Sequence, residues 1–83
     1  MASANYLKLK RLFAESLGIP ESQVVESLSY NTIPQWDSIA HMAMIANLDD
    51  AFGIMMDTDD VIDLSSFGKA LAILAKYGIA FDE

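Results

Sequence analysis

The chain has no cysteine, one histidine, two prolines, four glycines and, between residues 12 and 68, no lysine or arginine. Each shortage excludes something. Without cysteine there is no disulfide framework and no thiolate zinc site. With one histidine and no nucleophile–base pairing in the pattern, the chain lacks the parts of a hydrolytic or acyl-transfer centre, so any chemistry it joins is supplied from outside. The missing bases leave ten acids alone in that stretch: Glu15, Glu21, Glu26, Asp37, Asp49, Asp50, Asp57, Asp59, Asp60 and Asp63. With a net charge of −7, such a surface repels phosphate backbones and argues against nucleic-acid binding. It keeps a small apolar protein soluble and steers partners that carry basic patches. No apolar run approaches the ~20 residues of a membrane span. The Met1–Asn5 stretch lacks the charged-then-apolar pattern of a leader, and a cytoplasmic protein is expected.

What is present is a core. Eighty-three residues, 53% of them hydrophobic, suit one small domain over 1–83, which at this size buries about 60% of its unfolded surface. Leu9, Leu12, Phe13 and Leu17 recur at helical spacing within residues 4–17, with Lys8, Lys10 and Arg11 between them and Gly18 as a stop. Residues 18–36 hold both prolines and read as a long loop, pinned across the helices by Val24, Val25, Leu28, Tyr30 and Ile33. A second helix is predicted over 38–52, ended by Gly53. A short third, capped by Asp57 or Thr58, runs through Asp63. A fourth, capped by Ser65, places Phe67, Ala70, Leu71 and Leu74 on one face before Gly78. No segment sustains two-residue alternation. The fold class expected is all-α: a small four-helix bundle with a long first loop and a short third helix.

The second helix is the informative one. At ~100° per residue, Met44, Ile45, Leu48, Ala51 and Phe52 gather on a core face with His41 among them, which aims His41 away from Ser38 as a half-buried packing residue. The other side collects Ile39, Met42, Ala43, Ala46, Asn47, Asp49, Asp50 and Gly53, with Ser38 at its edge. An outward face bearing Ile39 and Met42 and ending in two aspartates reads as a docking strip. Met44 and Met56 suit core filling, with an opening acyl pocket as the alternative. Asp57-Thr58-Asp59 starts like a calcium loop, but Val61, Ile62 and Gly68 stand where such a loop needs an oxygen ligand, a glycine and a glutamate.

Trp36-Asp37-Ser38-Ile39 at the helix start, Leu48-Asp49-Asp50-Ala51-Phe52 near its end, Met55-Met56 and the Leu17-Gly18-Ile19 stop resemble the acyl carrier protein family over about Leu9 to Leu74. The resemblance implies a monomeric carrier that is not itself an enzyme. Ser38 would receive 4′-phosphopantetheine from coenzyme A through a separate, magnesium-dependent phosphopantetheinyl transferase, with Asp37 helping that enzyme place its metal and coenzyme A. Acyl groups would ride the arm as thioesters. Ile39, Met42, Ala46, Asp49, Asp50 and Asp60 would face acyl transferases, synthases or ligases of fatty-acid, lipid or secondary-metabolite biosynthesis. Many carriers of this family bear acids close to the serine, where this chain has Ala40, Met42 and Ala43; the departure implies a specialised carrier serving a few dedicated enzymes. An aminoacyl or peptidyl carrier, and a helical interaction module without the arm, are the alternatives.

Overall fold

The computed structural model describes residues 3–81, so Met1 and Ala2 of the stretch read for a leader lie outside it. Four helices follow in order: α1 (Ala4–Leu17), α2 (Ser38–Phe52), α3 (Thr58–Asp63) and α4 (Phe67–Lys76), with one 3₁₀ turn at Glu21–Gln23. The all-α expectation holds, with bounds for α1 and α2 as anticipated. Both helices end on a glycine in the left-handed region, Gly18 at φ 67° and Gly53 at φ 64°. Each donates its N–H back to the last turn, to Ala14 and Asp49 respectively. A side chain bearing Cβ is strained in that conformation, so glycine at these two points sets where the helices stop.

The core centres on α1, α2 and α4. Phe13 stands edge-on to Phe67 (5.0 Å between ring centres) and to Trp36 (5.6 Å), giving an aromatic run from α4 through α1 to the start of α2. Phe13, Phe67, Trp36, Leu9, Met44, Leu48 and Leu74 are fully buried. Two side chains tie α1 along α2. Asn47 Nδ2 donates to Ser16 Oγ at 3.0 Å, and Lys8 Nζ donates to the Ala51 carbonyl at 2.6 Å while lying 4.7 Å over the Phe52 ring. The lysine thus neutralises the negative end of the α2 dipole. No helix among the described residues is long and apolar enough to cross a membrane.

The long loop is fixed at both kinds of atom. Val24 and Leu28 are buried, Ile33 packs on the core, and Tyr30, though partly exposed, stands edge-on to Trp36 and His41; Val25 alone of the expected apolar set is turned out. Its backbone does the rest: Tyr30 N–H donates to Ser65 O (2.7 Å), Phe67 N–H to Leu28 O (2.9 Å) and Gly68 N–H to Glu26 O (3.2 Å), around an isolated antiparallel bridge between Ser29 and Ser66. That bridge explains one correction. Ser65 spends its carbonyl on the loop, and Ser66 is the cap of α4, its Oγ accepting from Lys69 N–H at 3.0 Å. Asp57 is the N-cap residue of α3, but its side chain makes no cap bond; its N–H donates to Tyr77 Oη at 2.8 Å.

Candidate functional site

The entry to α2 is a turn whose conformation is set by one buried ring. Trp36 is fully buried, its N–H donates to Ile33 O (3.2 Å) and its carbonyl accepts from Asn31 N–H (3.1 Å). Asn31 takes φ 67°, a region asparagine tolerates better than other non-glycine residues. With Trp36 facing inward, Asp37 and Ser38 follow on the outside, and both are exposed. Asp37 has extended backbone and caps the helix, Oδ1 accepting from Ala40 N–H at 2.9 Å. Ser38 is therefore the first helical residue. Its hydroxyl is not the cap, and it sits beside N–H groups of the first turn where the helix dipole favours an anion.

His41 is half-buried, as expected, but does not turn away from Ser38: the two line the same cavity between α2 and α3. Trp36 Nε1–H donates to His41 Nδ1 at 3.0 Å, and the rings stack 6.1 Å apart at 22°. Indole nitrogen only donates, so the His41 proton sits on Nε2, from which it is donated to the Val61 carbonyl at 2.8 Å. This chain of contacts is not legible in the sequence, because Val61 lies twenty residues downstream with no periodic signal linking it to His41.

Along α2, Ile39 is 80% and Met42 59% exposed, and Ala43, Ala46 and Asp50 are exposed beside them. Asn47, grouped with this strip by angle, is instead bonded to α1. Asp49 is half-buried, Oδ1 accepting from Met56 N–H at 3.2 Å, so one of its oxygens serves the α2–α3 loop. Two apolar neighbours were missed, Met55 at 86% exposure and Ile62 at 73%. Met55 alternates with buried Met56 in the extended loop, and Ile62 stands off the α3 side that carries Asp60 and Leu64 inward. Met44 and Met56 are both buried and neither lines the cavity, which makes them core filling.

Asp60 corrects the expected partner surface. It is 5% exposed and turned inward, Oδ1 accepting from Lys76 Nζ at 2.6 Å and Oδ2 from Tyr77 Oη at 2.6 Å. The acid on α3 is an anchor to the end of α4, so Asp60 cannot be presented to a partner. The Lys76 hydrogen bond foremost, then that of Tyr77, hold its carboxyl below the usual value of 3.8 against the opposing effect of burial. A carboxyl lowered on folding stabilises the fold above 3.8, and that contribution is lost as pH falls through the folded-state value. Asp60→Asn should therefore melt lower than wild type at neutral pH, with the two melting points converging on titration below 3.8. A gap independent of pH would show that the ion pair is not what Asp60 contributes.

No protein-family model matches the chain. It is similar to an acyl carrier protein of Thermotoga maritima, 27% identical over 71 residues that cover 86% of this chain and 88% of the relative.

Proposed function

We propose that this protein is an acyl carrier, with Ser38 as the attachment point of a 4′-phosphopantetheine arm. The observation that carries the reading is the position of Ser38: an exposed hydroxyl on the first residue of a fifteen-residue helix, relieved of capping by Asp37 and bordered by an exposed apolar strip. The similarity to a carrier over most of both chains supports it.

The residues fit the group. The phosphodiester would lie against the positive end of α2, where N–H groups of the first turn are available. Ser38 Oγ forms the new bond to phosphorus, its proton passes to the transferase, and the adenosine bisphosphate half of coenzyme A departs. Asp37 keeps one oxygen in the cap and can offer the other to the transferase and its magnesium. When bound, the arm supplies the thiol that this cysteine-free chain lacks and holds the acyl group as a thioester. The chain's own part is presentation: Ile39, Met42 and Ala46 form the apolar contact, Asp50 and the free side of Asp49 its acidic border, and Met55 and Ile62 widen it toward α3. The partners proposed are a phosphopantetheinyl transferase and acyl transferases, synthases or ligases with apolar, basic-rimmed docking patches.

Incubation with coenzyme A, magnesium and a broad-specificity transferase should add one phosphopantetheinyl unit to the intact mass, and peptide mapping should place it on Ser38. No gain, with a control carrier modified in the same tube, would refute the carrier reading and leave an interaction module.

A further inference from the structure

The chain has five methionines and no cysteine, so before any arm is attached thioethers are its only sulfur. The four described methionines divide sharply. Met44 is fully buried and Met56 is 8% exposed, whereas Met42 stands 59% and Met55 86% in solvent. A sulfur is oxidised where the oxidant can reach it, so the chain holds two open thioethers and two covered ones.

Neither open side chain hangs on loose backbone. Met42 lies within α2, next to His41, whose ring is held by Trp36 and by the Val61 carbonyl. The stretch around Met55 is tied on both sides: Ile54 N–H donates to Asp49 O (3.0 Å), Met56 N–H to Asp49 Oδ1 (3.2 Å) and Asp57 N–H to Tyr77 Oη (2.8 Å). With Met56 buried beside it, Met55 is kept outward. Two long apolar side chains are thus fixed in water, Met42 about one turn from Ser38 and Met55 beyond the far end of α2. Backbone that holds them there presents them, and methionine suits a surface that must fit more than one partner.

Oxidation reverses their character. The sulfur electron pair takes one oxygen of a hydroperoxide: the S–O bond forms, the O–O bond breaks, and with hydrogen peroxide the second oxygen leaves as water. The thioether is oxidised by two electrons to a sulfoxide, and the peroxide is reduced. The product is polar, and methionine sulfoxide reductases restore the thioether. A net charge of −7 repels anionic oxidants and leaves a neutral peroxide unhindered.

We propose that Met42 and Met55 are oxidation sites, at which a neutral hydroperoxide weakens docking on the α2 strip and leaves the fold intact, a reversible redox control on loading. The proposal rests on the carrier reading, since the strip is the surface that partners of Ser38 would meet.

The test uses the protein before the arm is attached, when it has no thiol of its own. After hydrogen peroxide and then catalase, peptide mapping should place oxygen on Met42 and Met55, with Met44 and Met56 unmodified on that timescale. The melting temperature should stay within about 3 °C of the untreated value. Loading from coenzyme A by a phosphopantetheinyl transferase should need about tenfold more carrier for half-maximal rate, the gain from burying one apolar side chain of this size. The limiting rate should not change, and the two methionine sulfoxide reductases, one for each epimer, should together restore the untreated kinetics. In Met42→Leu/Met55→Leu, whatever its starting rate, treated and untreated samples should load alike. Even oxidation of all four methionines, a larger fall in melting temperature, equal loading before and after oxidation, or undiminished sensitivity in the leucine variant overturns the proposal and leaves the carrier reading standing. Untreated wild type that takes up no arm, beside a control carrier that does, sinks both.

Discussion

Ser38→Ala abolishes loading and leaves the domain folded: that pair of results is expected together, because the hydroxyl and the helix start are served by different residues. The cap bond to Ala40 N–H comes from Asp37, and the Asp37 carbonyl accepts from His41 N–H at 2.9 Å, so the first turn is closed without the serine. Alanine is also the better helix former, by up to about 0.5 kcal/mol. Unfolding free energy should stay within about 0.5 kcal/mol of wild type, the usual range for an exposed substitution away from any special feature. The mass gain should vanish entirely, since no other hydroxyl can substitute for an atom that forms the bond. Intact mass and a urea melt on the same sample check both halves. Residual gain in the variant would move the attachment point elsewhere. A loss of several kcal/mol would mean that Ser38 supports the turn, and the missing modification would then say nothing about attachment.

How much of this was legible beforehand varied with the range of the interaction involved. Gly18 and Gly53 marked the ends of α1 and α2 because a left-handed residue is a local demand met by a local residue type. Trp36-Asp37-Ser38 marked the helix start for the same reason. The choice between Ser65 and Ser66 was not local: it depends on which carbonyl the loop strand takes, and Tyr30 lies thirty-five residues upstream. Asp60 was misplaced on the same account. An acid in a short polar helix reads as solvated, and only the end of α4, sixteen and seventeen residues on, turns it inward. The apolar strip on α2 followed from angular position alone, but Asn47 shows the limit of that projection, since its side chain, though exposed, is bonded to Ser16 of α1. His41 shows it again. Its angle gave its burial, yet not the Val61 carbonyl that its ring reaches on α3.

Trp36→Ala should be the most destabilising single substitution around the site. The ring is fully buried, packs edge-on to Phe13 at 5.6 Å and to Tyr30 at 6.2 Å, and stacks on His41. Truncating such a side chain costs about 3–5 kcal/mol. A domain of this length is stable by roughly 4–12 kcal/mol, so the substitution removes a quarter or more of the total and, at the low end of that range, nearly all of it. Trp36→Phe separates packing from hydrogen bonding. It keeps much of the volume but removes the Nε1–H donor and leaves His41 Nδ1 without its partner, a loss of about 1–3 kcal/mol. Both follow from denaturant melts. The functional consequence is distinct from the stability loss. Ser38 is held outward because Trp36 is held inward, so under conditions where Trp36→Phe remains folded, loading by the transferase should still slow, through turnover more than through affinity for coenzyme A. Wild-type loading kinetics in a folded Trp36→Phe would uncouple the two, and the placement of Ser38 would then depend on the Asp37 cap alone.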